Sequence, residues 1–126
     1  DFIDKRDIDK HVVTWWSFQC KGRGYPRKAL FAIPNGQALI QHANNPAAYM
    51  NYLRVEGFRD GVPDMFLAIP INGKAGLFIE LKRQTGGVLS PEQSEYVGIL
   101  SSLGYQSVVC KGADLAMEAI REYLGK

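Results

Sequence analysis

GVPDMFLAIPINGKAGLFIELK, residues 61–82, is the stretch whose reading decides the fold. Its centre carries Asn72-Gly73, the strongest short hairpin signal, so the stretch divides into two strands, at about residues 63–69 and 76–83. Side chains alternate across a strand, so Leu77, Ile79 and Leu81 face one way while Phe78, Glu80 and Lys82 face the other. Glu80 and Lys82 therefore share a face, roughly 7 Å apart along the strand. The hairpin returns Asp64, at the start of the first strand, to the end of the second. Buried strands normally exclude unpaired charge, because its desolvation is expensive. Two carboxylates and an ammonium gathered at one end of a sheet thus call for a chemical reason.

Outward from this hairpin, the elements alternate. Residues 4–20 carry Ile8, Val12, Trp15 and Trp16 at three- and four-residue intervals, the stripe of an amphipathic helix. Residues 28–33 read as a short strand closed by Pro34-Asn35-Gly36, and residues 37–45, polar and without a period, as loop. Residues 46–56 suit a short helix with Pro46 in its first turn, ended by Gly57. Ser90-Pro91-Glu92-Gln93 is a helix start, with Ser90 as N-cap, Pro91 at the first position and Gln93 completing a capping box. That helix stops at Gly104; residues 105–111 form another strand and residues 114–124 a last amphipathic helix. Such an order predicts a mixed sheet with helices on its faces, in one domain over residues 1–126.

Composition narrows the setting without naming a partner. With a net charge of +2, bulk charge does not announce a polyanion, so any nucleic-acid role rests on local arrangement. Cys20 and Cys110 lack the spacing of a zinc knuckle or redox pair, which points to a reduced, cytoplasmic protein. No stretch reaches the roughly 20 apolar residues of a membrane span, and the charged residues 1–7 do not read as a signal peptide. Neither a membrane nor an organic cofactor is expected.

Two convergent carboxylates repel unless a cation lies between them. Mg²⁺ or Mn²⁺ takes oxygen ligands of this kind and completes its shell with water and phosphate. A compact ammonium beside them, that of Lys82, can hold a water or stabilise negative charge developing on a phosphate. Hydrolysis of a phosphodiester is the chemistry such a trio serves.

Pro63-Asp64, a spacer, then Glu80-Leu81-Lys82 resembles the PD-(D/E)xK nuclease signature. Five blocks in order resemble its VRR-NUC branch: PNG at 34–36, GVPDMFLA at 61–68, GLFIELK at 76–82, LSPEQSEY at 89–96 and LGYQSVVCKG at 103–112. The resemblance implies a restriction-endonuclease-like α/β fold and a metal-dependent DNA endonuclease. Asp64, Glu80 and the Leu81 carbonyl would be metal ligands, Lys82 the catalytic lysine, and Gln93 its support from the following helix, with Tyr96 continuing a Gln-x-x-Tyr pattern. Small stand-alone members, similar to viral and bacterial enzymes, imply Holliday-junction-like structure selectivity on branched or duplex DNA and action as a homodimer, with contact through the helix of Trp15 and Trp16 or that of Tyr123. The family's first helix usually supplies a glutamate toward the metal. Residues 4–13 contain none; Asp7 is the first substitute, then Asp4 and Asp9.

Lys21, Arg23, Arg27 and Lys28 form a basic cluster that reads either as a solvated loop or as a phosphate track, joined by Asn35 and Arg83 as further candidate DNA contacts. Asn35 before Gly36 is equally ordinary turn chemistry, and His11 and His42 read as surface histidines. The competing class is a DNA-binding or scaffolding module whose nuclease site has decayed.

Overall fold

The computed structural model describes residues 5–34 and 36–125. Among them the chain order is α1 (Lys5–Arg23), β1 (Leu30–Ala32), α2 (Gly36–Ile40), α3 (Pro46–Val55), β2 (Met65–Leu67), β3 (Leu77–Lys82), α4 (Pro91–Ser102), β4 (Gln106–Lys111) and α5 (Ala113–Leu124). The sheet runs β1-β2-β3-β4. The first two pairings are antiparallel and the last is parallel, with α4 as its crossover. This is the mixed, helix-flanked α/β sheet expected from the sequence.

Register fixes which face each side chain takes. Met65 pairs with Ile79, Leu67 with Leu77, and Leu81 with Cys110. All six are buried, and they meet Ile8, Val12, Trp16, Ala116 and Ile120 from α1 and α5 in one core. A one-residue slip would carry this whole set to the opposite face, so burial specifies the register strongly. The opposite face carries Phe66 and Phe78, in contact at a tilt with centroids 4.3 Å apart, flanked by Phe31 and Tyr105, and then Glu80 and Lys82.

Three readings change. Residues 28–29, read as strand, belong to a 3₁₀ turn (Arg27–Ala29) closed by the Ala29 N–H on the Pro26 carbonyl at 3.1 Å, so β1 starts at Leu30. α1 continues to Arg23, through Gly22, because Trp16 and Cys20 are buried and hold that end down. Residues 37–40, within the stretch 37–45 read as loop, form α2 together with Gly36, a helix too short to display a helical period. Trp16 is 1% exposed, with its indole N–H donating to the Arg27 carbonyl at 3.0 Å, and Tyr123 is buried with its hydroxyl on the Ile69 carbonyl at 2.6 Å. Both side chains belong to the core. Trp15, half-buried under the Arg121 guanidinium at 5.2 Å, is the member of that group left near the surface. No helix among the described residues is long and apolar enough to cross a membrane.

Cys20 and Cys110 are buried free thiols, and burial pushes Cys110 up from 9.0 to about 11. Its neutral form is the one the fold prefers, so its contribution to stability is fully present below pH 9.0 and is lost as pH rises towards about 11. Denaturant midpoints should therefore fall across that window, and fall less in Cys110→Ala; equal slopes for the two proteins would contradict the assignment.

Candidate active site

The site is assembled where β2 begins and β3 ends. Because Met65 lies opposite Ile79, Asp64 arrives opposite Glu80. Its carboxylate is fixed by the strand beside it, with Oδ2 accepting from the Leu81 backbone N–H at 2.7 Å, while its own carbonyl accepts from the Ile33 N–H at 2.7 Å. Backbone on both sides thus holds Asp64.

Glu80 is 1% exposed, an unusual depth for a carboxylate. Its Oε2 accepts from Gln93 Nε2 at 2.8 Å and lies 3.5 Å from the Lys82 ammonium. Gln93 faces both: its Oε1 accepts from Lys82 Nζ at 2.8 Å and from the Ser90 N–H at 2.9 Å. The opposite amide orientation would place an N–H₂ against two donors and an oxygen against a carboxylate, so only one orientation satisfies all three contacts. The capping box is the source of this placement. Ser90 Oγ accepts from the Gln93 N–H at 3.1 Å, and the Gln93 side chain returns to the cap. One glutamine caps a helix, braces an acid and aims a lysine.

Asp64 and Gln93 also line a cleft of about 670 Å³ between the sheet end, α4 and the segment that follows α3. Two hard carboxylates from adjacent strands, one nearly sealed from water, suit an oxygen-loving divalent ion whose shell is finished by water and phosphate. Among the described residues no histidine, cysteine or third acid completes a metal-holding group with them. The donor set therefore fits Mg²⁺ or Mn²⁺ and not a soft metal.

The other candidates are placed as follows. Asp7 is exposed and lines a separate hollow on α1 with His11, Thr14, Trp15 and Phe18. Helical period explains this: Asp7 shares its stripe with those residues and not with Ile8, Val12 and Trp16, which face the sheet. The α1 acid drawn inward is Asp9, whose Oδ1 is withdrawn from solvent. Asp4 and Asn35 lie outside the described residues. Tyr96 is half-buried one turn along α4.

Lys21, Arg23, Arg27 and Lys28 are exposed around the end of α1 and the start of β1. Leu30 pairs with Leu67, and Leu67 with Leu77, so that cluster stands at the end of the sheet away from Lys82, about 17 Å distant along β3. Arg83, exposed, follows Lys82 directly, and Lys111 pairs beside Lys82 on β4. Arg54 and Arg59, on the cleft wall, carried no sequence signal of their own; only the fold brings them to Asp64.

Fold and site together define a PD-(D/E)xK-type nuclease core. The VRR-NUC domain model matches residues 5–114, and the chain belongs to the VRR-NUC family. A solved structure described as a VRR_NUC domain protein is 20% identical, with a TM-score of 0.77, covering 98% of this chain and 89% of that one; it shows the shared fold. No curated protein matches the chain. Family membership implies a nuclease-type function acting on DNA.

One contact sets the position of Gln93 from outside. A Cβ on Gly61 (φ +88) would fall 2.5 Å from the Glu92 carbonyl group and 2.8 Å from the Gln93 nitrogen. Gly57 (φ +111) has open space around it. Gly57→Ala should cost about 1 kcal/mol from backbone strain alone. Gly61→Ala should cost about 2–4 kcal/mol and push α4 off the site, lowering cleavage more than its loss of stability explains. Equal unfolding energies and equal cleavage for the two variants would contradict this docking.

Proposed function

We propose that the protein is a Mg²⁺- or Mn²⁺-dependent DNA endonuclease, selective for branched structure and acting as a homodimer. The observation that carries the catalytic part is the hydrogen-bonded set Glu80, Gln93 and Lys82, with Asp64 opposite Glu80 and its carboxylate held by the Leu81 N–H. Asp64, Glu80 and the Leu81 carbonyl are the groups that would hold the ion. When bound, the ion supplies charge neutralisation at the phosphate and lowers the cost of deprotonating a water.

The remaining work falls to the chain. Glu80, already desolvated and braced, costs no reorganisation when the substrate arrives. Lys82, pinned by Gln93, presents its remaining N–H donors at a fixed point where the attacking water, or charge on the phosphate, is stabilised. The water oxygen forms a bond to phosphorus as one phosphate ester bond breaks, leaving a phosphate monoester and a free hydroxyl. Cutting a two-fold junction symmetrically requires two such sites related by two-fold symmetry, which supports the dimer.

A decayed binding module is the second reading, favoured only by the lack, among the described residues, of a third acid beside the pair. The two readings separate on purified protein given four-way junctions, flaps and linear duplex with Mg²⁺ or Mn²⁺. Asp64→Asn is the preferred variant, because the amide oxygen still accepts from the Leu81 N–H whereas alanine would orphan it. Lys82→Ala strips the near cation from a buried acid, so its fold must be checked by circular dichroism. Both variants should lose cleavage by about 10²-fold or more and keep DNA binding. Cleavage by either at the native rate, or a native chain that binds and never cuts, would contradict the enzyme.

A further inference from the structure

The cleft wall opposite α4 is formed by the end of α3 and the loop leading to Asp64, and it presents two guanidinium groups, Arg54 and Arg59. They are not equivalent. Arg54 is engaged edge-on, Nε to Asp60 Oδ2 at 3.2 Å and Nη2 to Oδ1 at 3.4 Å, in the manner of a strut across the loop. Arg59 gives one N–H to the Phe58 carbonyl at 3.2 Å and has no carboxylate partner among the described residues. The loop bearing it is tied at both ends. Its start closes on α3 through the Gly57 and Phe58 N–H groups on the Arg54 and Leu53 carbonyls, and Gly61 rests on the first turn of α4.

Asp60, the nearest acid in sequence, is spent on Arg54 and so leaves Arg59 the uncompensated cation of that wall. A guanidinium has five donors in a planar fork, a match for phosphate oxygens. Phosphates recur along each DNA strand at about 3.4 Å of helix axis, so a strand with one phosphate at Asp64 and Glu80 presents others to the cleft walls.

We propose that Arg59 grips a backbone phosphate of the strand being cut, beside the one held at Asp64 and Glu80, with the Arg54–Asp60 pair fixing its loop. The strand then enters over the α3 side and not across Lys21, Arg23, Arg27 and Lys28. This rests on the nuclease reading above.

The test is fluorescence anisotropy of a labelled duplex and a labelled four-way junction against salt, with Ca²⁺ replacing Mg²⁺ and the DNA verified intact. Arg59→Gln should weaken binding about tenfold on both probes and lower the slope of log affinity against log salt by about 1. Arg59→Lys should restore the slope and only part of the affinity, since a point charge replaces a fork. In Mg²⁺, Arg59→Gln should raise KM and leave kcat near native. An unchanged salt slope in Arg59→Gln overturns the proposal, as does a lost slope in the quadruple Lys21, Arg23, Arg27 and Lys28 to Gln variant with Arg59→Gln unaffected. A native protein that neither binds nor cuts either probe defeats the nuclease reading itself, a distinct result from intact cutting with an indifferent Arg59.

Discussion

A carboxylate buried in the middle strand pair of a small sheet is the constraint from which the remainder of the site follows. Glu80 is 1% exposed on β3, a place where an unpaired charge would be expelled or neutralised. It is kept by contacts that each have a second duty. Gln93 donates to it while capping α4 and receiving Lys82; Lys82, its side chain 12% exposed, approaches it while bonded to Gln93. Shared polar contacts of this kind rigidify their surroundings. The crossover from β3 to β4 is therefore more than a connection. Its capping box sets the active groups in register.

The same economy explains why the fold needs its glycine at the loop before Asp64. With no Cβ at Gly61, loop and helix can touch backbone to backbone, and Asp64 and Gln93 reach the same cleft from opposite sides. The site is thus held by main-chain contacts at three points: the Leu81 N–H on Asp64, the Ile33 N–H on the Asp64 carbonyl, and Gly61 on α4.

Much of this was legible in the chain because it is local or periodic. The Asn72-Gly73 turn fixes the hairpin, alternation in residues 77–82 sorts core from site, and Ser90-Pro91-Glu92-Gln93 announces both a helix and its brace. What was not legible depends on long-range placement. Asp7 and Asp9 differ by two positions on one helix, and only packing against the sheet tells which turns inward. The basic cluster of residues 21–28 looks attractive on the page, yet strand direction carries it to the far end of the sheet. Arg54 and Arg59 sit in an unremarkable run, and a folded loop delivers them to the cleft. Residues 36–40 form a helix too brief for any period to show.

The central claim is that Asp64 and Glu80 form one cation site. Diffraction at the manganese absorption edge, from crystals of the native chain soaked in Mn²⁺, addresses it without reference to activity. The account requires an anomalous peak in bonding contact with carboxylate oxygens of both residues. A map in which manganese binds elsewhere, or touches neither acid at saturating concentration, would contradict it.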